Sequence, residues 1–264
     1  NKLTSGLVGY WTFDGQDTNW GTNTTNDRSG QGNIGTMTNM SITTSPVPGV
    51  AGQAFNFDGV NDYVNAGSNA SLTLTGNMTI SAWIYTKGGS SDQKIVSKYI
   101  NEYANCDVPY EFSITNTNKL RFFSTNNTDW EFCSNPTDLY STNSISLNQW
   151  QHVVFVRNVS DQITFYINGV QDFGGWQSGI YATDIGALVN IGRQSSTGGD
   201  LFNGYLDEVR IYNRALSANE ITELYQQGQA KINVSQADKL TSGLVGYWTF
   251  DGQDTNWGTN TTND

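Results

Sequence analysis

Residues 2–27, KLTSGLVGYWTFDGQDTNWGTNTTND, recur without a mismatch as residues 239–264. Lys2 returns as Lys239 and Asp27 as Asp264, a period of 237 residues. Chance does not produce such a copy, and an old duplication would carry mismatches. The period is far longer than a solenoid repeat of about 20–50 residues, so the repeating unit is a whole domain. Two origins stay open: recently homogenised tandem copies, or an engineered C-terminal extension.

A unit of this length fits one large all-β domain. The net charge of −11 disfavours nucleic acid and suits a cation-binding or surface-exposed protein. Only 14% of residues are charged, so Asn, Thr, Ser, Gly and Gln carry the solubility. With 12% aromatics, this composition is typical of secreted β-proteins and predicts an extracellular or cell-surface location. No run reaches the length of a membrane span. No signal peptide opens the chain, as expected of an excerpt from a longer mature protein. Cys106 and Cys133 are the two cysteines, and in this setting they read as one disulfide, two free buried thiols being the alternative.

Strand signals dominate. Candidates are 7–13, 54–57, 62–65, 78–85, 94–98, 110–114, 120–123, 152–157, 163–167, 189–192 and 204–212, many of them alternating apolar and polar residues. Asn168-Gly169, between ITFYI and VQDF, predicts a hairpin, since both residues tolerate positive φ. Ser217 to Glu220 forms a capping box ahead of an apolar stripe of Ile221, Leu224 and Tyr225, and Gly228 reads as the stop. The predicted fold is a two-sheet antiparallel jelly-roll sandwich with one short C-terminal helix. The chain divides into a domain at 1–228, a linker at 229–238, and the first strand and loop of the next repeat at 239–264.

The segments YWTFD (10–14), DRSGQGNIG (27–35), AFNFDGVNDYV (54–64), MTISAWIY (78–85), WQHVVFVR (150–157), ITFYINGV (163–170) and GYLDEVRIYNRALSANEI (204–221) resemble, in order, LamG-like jelly-roll domains of the concanavalin A-like lectin/glucanase group. The resemblance implies two curved antiparallel sheets whose first and last strands are adjacent. The stretches 15–26 and 101–135 depart from the compact pattern, so loop-borne binding does not carry over there.

If first and last strands pair, Asp14 and Asp207 approach one another, and two buried carboxylates repel unless a cation lies between them. With Asp27 and Asn33 in the intervening loop they form a candidate Ca2+ site, since oxygen ligands without His or Cys select calcium over zinc. A structural calcium near these strands is also what the resemblance implies. The competing reading is that Asp14 and Asp27 cap turns while Asp207 pairs with an arginine such as Arg210. Asp58, Asn61 and Asp62 read as turn formers.

No catalytic residues are assigned: no Glu-x-Asp-x-x-Glu arrangement of carboxylates is present, and His152 follows Trp150 into a strand. Trp130, Tyr103 and Trp176 lie in polar stretches and are weak candidates for stacking on sugars, whereas Trp11, Trp83 and Trp150 fit core positions. The expected function is a non-enzymatic structural or adhesive repeat of a large surface or filament-forming protein, stabilised by calcium. The alternative is a carbohydrate-binding, lectin-like module of a secreted protein. Expected partners are neighbouring copies of the repeat and glycans. Trp11 and Phe13, or their duplicates Trp248 and Phe250, complete the sandwich. Strand exchange between copies follows if the second set is used.

Overall fold

The computed structural model describes residues 2–100, 107–125, 137–158, 160, 162–176, 186–194, 199–235, 255–256 and 261–262. The early strands are Leu7–Trp11 (β1), Thr18–Asn19 (β2), Thr24–Thr25 (β3), Gly35–Thr38 (β4), Pro46–Pro48 (β5), Gln53–Asp58 (β6), Tyr63–Asn65 (β7) and Met78–Thr86 (β8). Then follow Gln93–Ile100 (β9), Asp107–Ile114 (β10), Lys119–Ser124 (β11), Thr137–Ser144 (β12), Gln151–Arg157 (β13), Gln162–Ile167 (β14) and Val170–Trp176 (β15). Val189–Ile191 (β16), Asn203–Tyr212 (β17), Thr255–Asn256 (β18) and Thr261–Thr262 (β19) come last.

The first seventeen build two large antiparallel sheets, and β18 and β19 pair separately. The eight-stranded sheet runs β15-β14-β13-β8-β17-β6-β5, with β1 also on β17. The nine-stranded sheet runs β12-β11-β10-β9-β16-β7-β4-β3-β2. Their facing sides bury one core, in which Trp11, Phe55, Ile80 and Phe155 of the first sheet region meet Val96, Phe112, Phe122 and Ile191 of the second. The rings of Phe122 and Phe155 stack across the interface with centroids 4.0 Å apart. Period-two alternation is plain in β11, where Leu120 and Phe122 are buried while Lys119, Arg121 and Phe123 stand on the other face. The sandwich and its single helix are those expected from the sequence.

Local chemistry fixes the turns. Asn168 and Gly169 take φ of 53° and 77° between β14 and β15, the left-handed pair that a two-residue hairpin requires. Asp58 Oδ1 accepts from the N–H groups of Val60, Asn61 and Asp62, so FDGVND is a carboxylate-held turn. The capping box forms as expected, with the Ser217 N–H donating to Glu220 Oε2 at 2.9 Å.

The short strands β2 to β5 and the Thr- and Ser-rich β12 have no counterpart among the expected strands. They are too short, or too rich in Asn, Ser, Gly and Pro, to show the alternating aromatic and aliphatic run that marks a half-buried strand, and sheet pairing sets them instead. The helix, α1 (Ala218–Ser235), does not stop at Gly228. Gly228 instead gives the helix room to lie on Trp83: a Cβ there would sit 2.5 Å from the indole ring. The helix buries Ile221 and Leu224 against Val154, Tyr166 and Tyr212 on the outer face of the eight-stranded sheet. Trp150 is also not a core residue. It is half-buried and groups with Tyr85 and Tyr205 on that same sheet.

Strand β1 lies on β17 with Trp11 opposite Val209, so residues of the first copy stand beside the last long strand. Trp11 and Phe13 are fully buried there. Trp248 and Phe250 lie outside the described residues. The pair β18–β19 repeats the register of β2–β3: Thr255 faces Thr262 as Thr18 faces Thr25. Among the described residues, no helix is long and apolar enough to cross a membrane.

Candidate functional site

The outer face of the nine-stranded sheet carries an unbroken cross-strand row. Asp138 lies opposite Phe123, Phe123 opposite Glu111, Glu111 opposite Ser97, Ser97 opposite Asn190, and Asn190 opposite Asn65. A bulge in β9 inserts Ile95 between the pairs Val96–Phe112 and Lys94–Ser113. It puts Lys94 and Ser97, three residues apart, on the same face. A polar face is ordinary on a solvated sheet, but the middle of this one is buried. Lys94, Ser97, Glu111, Ser113 and Asn190 are each at most 2% exposed. Four of their atoms, Ser97 Oγ, Glu111 Oε2, Ser113 Oγ and Asn190 Oδ1, have no hydrogen-bond partner. An unmade bond of this kind costs about 1–3 kcal/mol, more for a charged group.

The charged groups interlock. Lys94 Nζ lies 2.8 Å from Glu111 Oε1 and 3.1 Å from Asp200 Oδ2. Arg121 holds Asp138 through Nε at 2.7 Å and Nη2 at 3.1 Å, and Asp92 through Nη1 at 2.9 Å. Its guanidinium also lies over the Phe123 ring. Burial pushes the Glu111 carboxyl up, and Lys94 opposes it. Burial lowers Lys94, but Glu111 and Asp200 more than compensate, and its net shift is upward. The two shifts pull the pair in opposite directions. The charged form is the one the geometry favours, because two carboxylates converge on one ammonium. Lys94, Tyr99, Glu111, Arg121, Phe123 and Asp200 line a cavity of 250 Å³.

The four expected calcium ligands do not form one cluster. Asp27 is satisfied locally: Oδ1 accepts from the Tyr10 and Ser29 N–H groups, and Oδ2 from Ser29 Oγ and the Asn33 N–H. Asn33 donates Nδ2 to the Val8 carbonyl and Ser71 Oγ, while its own carbonyl accepts from Trp11 Nε1. Asp14 and Asp207 instead share the loop 49–53. Asp14 Oδ1 accepts from the Gln53 N–H at 2.8 Å. Asp207 Oδ2 accepts from Val50 and Ala51 at 2.7 and 3.0 Å, so it does not pair with Arg210, which binds Glu208. Asp207 is fully buried and its Oδ1 has no partner. Burial, then the Glu208 charge, push its carboxyl well above the usual range, against the two N–H groups. Among the described residues, no three His, Cys, Asp or Glu side chains converge as metal ligands. A larger cavity of 650 Å³ lies between this loop and the helix end, with Asp14 and Lys231 its charged lining. Its walls are mostly Gly, Ala, Val and Pro and offer fewer recognition groups than the smaller cavity.

Tyr103, Trp130, Cys106 and Cys133 lie outside the described residues, as does the side chain of Trp176 at the end of β15. Sequence reasoning missed Lys94, Glu111, Arg121 and Asp200. The available signal was a charge at the outward positions of otherwise apolar strands, as in YEFSI and KLRFFS.

No curated protein matches the chain. Among solved structures, the binding domain of Paraclostridial Mosquitocidal Protein 1 matches at TM-score 0.63 and 18% identity, over 84% of this chain and 52% of that one. Domain 4 of AbnA, a GH43 extracellular arabinanase from Geobacillus stearothermophilus, in complex with arabinotriose, matches at TM-score 0.63 and 22% identity, over 83% and 98%. The binding domain of botulinum neurotoxin DC in complex with SialylT matches at TM-score 0.57 and 13% identity, over 86% and 52%. The chain thus spans about half the length of the toxin domains it matches. At these identities the likeness is one of fold. The family model of the concanavalin A-like lectin/glucanases superfamily matches residues 58–222, more than half of the sequence, and the chain belongs to that superfamily.

Proposed function

We propose that this chain is a non-enzymatic binding domain of an extracellular surface protein, and that it takes saccharides on the outer face of the nine-stranded sheet. One observation carries the reading: four buried polar atoms without partners lie on one face, and one of them, Glu111 Oε2, belongs to the wall of a 250 Å³ cavity shared with Tyr99 and Phe123. Aromatic rings for the apolar faces of a sugar and polar atoms for its hydroxyls are what such a site needs. Arabinotriose on the arabinanase domain and SialylT on the toxin domain support it by analogy of fold alone. Against catalysis stands Lys94, whose single ammonium holds both Glu111 and Asp200 in the carboxylate form, where glycoside hydrolysis needs one protonated acid. A glycan array probed with the whole chain tests the reading, and a blank array contradicts it.

Repetition belongs to the same proposal: identical copies in tandem would multiply a weak site into an avid one. Segment 2–27 sits in a slot that buries Leu7, Trp11 and Phe13. Its copy carries the same side chains, which suits it to the same slot of a neighbour and so to fibres built by strand exchange. Regular filaments in electron micrographs of native material would support this, and monomers alone would count against it.

Calcium enters at Asp14 and Asp207, without Asp27 and Asn33. The unpartnered Asp207 Oδ1 is the supporting observation, and the cation would supply the charge that two neighbouring carboxylates lack.

A further inference from the structure

We infer that the cavity at Lys94, Glu111, Arg121 and Asp200 selects uncharged, hydroxyl-bearing sugars and rejects anionic ones. The inference rests on reading the outer sheet face as the ligand face, and it adds the chemical class of the ligand.

The cations at this site are spent. Lys94 is held by Glu111 and Asp200, with Asp92 at 4.0 Å. Arg121 gives Nε and Nη2 to Asp138 and Nη1 to Asp92. Against these two positive groups stand four carboxylates, so the cluster is net negative, and an arriving carboxylate or sulfate meets no free donor fork. The unspent atoms point the other way. Glu111 Oε2, on the cavity wall, only accepts; further along the face Asn190 Oδ1 also only accepts, while the Ser97 and Ser113 hydroxyls can accept or donate. A ligand that satisfies the Glu111 carboxylate must donate, as sugar hydroxyls do. An anion would leave that carboxylate unpaired and add like-charge repulsion, which is how a site excludes a wrong ligand. Arg193 lies over the Tyr63 ring at 4.3 Å and is not among the residues that line the cavity.

The test is an array of neutral probes (cellotetraose, xylotetraose, mannotriose, arabinotriose) and acidic ones (sialyllactose, trigalacturonate), read with the whole chain. Neutral probes should bind, with acidic ones weaker by about tenfold or more, the worth of one charge-assisted hydrogen bond. Glu111→Gln should lose about tenfold in neutral binding. Should that variant fail to fold, Asp200→Asn, at a side chain 32% exposed, serves instead and should narrow the gap between neutral and acidic probes. Acidic probes binding as well as neutral ones overturns the selectivity and leaves the ligand face standing. No binding to any probe overturns both.

Discussion

Lys94 and Glu111, on neighbouring strands β9 and β10, form a buried ion pair 2.8 Å long, and Asp200 closes on the same ammonium. Removing one partner of a buried pair leaves the other charge stranded, which costs about 3–5 kcal/mol. Lys94→Met should therefore lower the unfolding free energy, measured by urea titration, by that much. The double variant Lys94→Met, Glu111→Leu should recover most of the stability and none of the saccharide binding. Unchanged stability in the single variant would mean that the pair is not buried in solution.

Gly228 lies inside the helix against Trp83. Replacing an exposed helical Gly by Ala gains about 1 kcal/mol. Here the added Cβ would meet an indole that is itself stacked on Tyr225, with ring centroids 5.7 Å apart. Gly228→Ala should therefore destabilise by about 1–3 kcal/mol, the usual cost of overpacking. Thermal melting decides by its sign.

His152 is fully buried, with Nε2 2.8 Å from Ser81 Oγ. Burial, helped by Arg210, lowers its pKa to about 3. Between that value and about 6.5 the unfolded chain holds a proton that the folded one refuses. Its contribution is thus full above about pH 6.5 and is lost as the pH falls, by about 1.4 kcal/mol per pH unit. His152→Gln should flatten that slope in denaturant titrations at stepped pH. An unaltered slope would mean that His152 is solvated.

Asp207 has the opposite sign. Its raised carboxyl keeps a proton that the unfolded chain releases, so its contribution is full below about pH 3.8 and is lost as the pH rises through the folded value. A cation at Asp14 and Asp207 would replace the proton. At about pH 7, chelator should lower the melting temperature of the wild type and leave Asp207→Asn unaffected. A wild-type melt indifferent to chelator removes calcium from the account.

Features fixed by neighbours in sequence are legible in the sequence itself. The Asn168-Gly169 turn, the Ser217–Glu220 box and the Asp58 turn each rest on contacts within a few residues. Features fixed by distant neighbours are not. Gly228 has the chemistry of a helix stop, and only Trp83, far off in the chain, makes it an interior residue. Asp27 resembles a metal ligand, yet most of its acceptors are filled by Ser29 and Asn33 close by. The ligand face is the hardest to see. Lys94, Glu111 and Asp200 meet only through sheet register and one bulge, and the bulge breaks the two-residue period that sequence reading depends on.

The most direct test of the central claim is amide hydrogen exchange of the whole chain with and without a saturating neutral oligosaccharide taken from the array. Added protection is expected in β9, β10 and β16, around Ser97, Glu111 and Asn190. Protection confined instead to the 48–52 loop and the end of the helix would place the ligand in the larger cavity and contradict it.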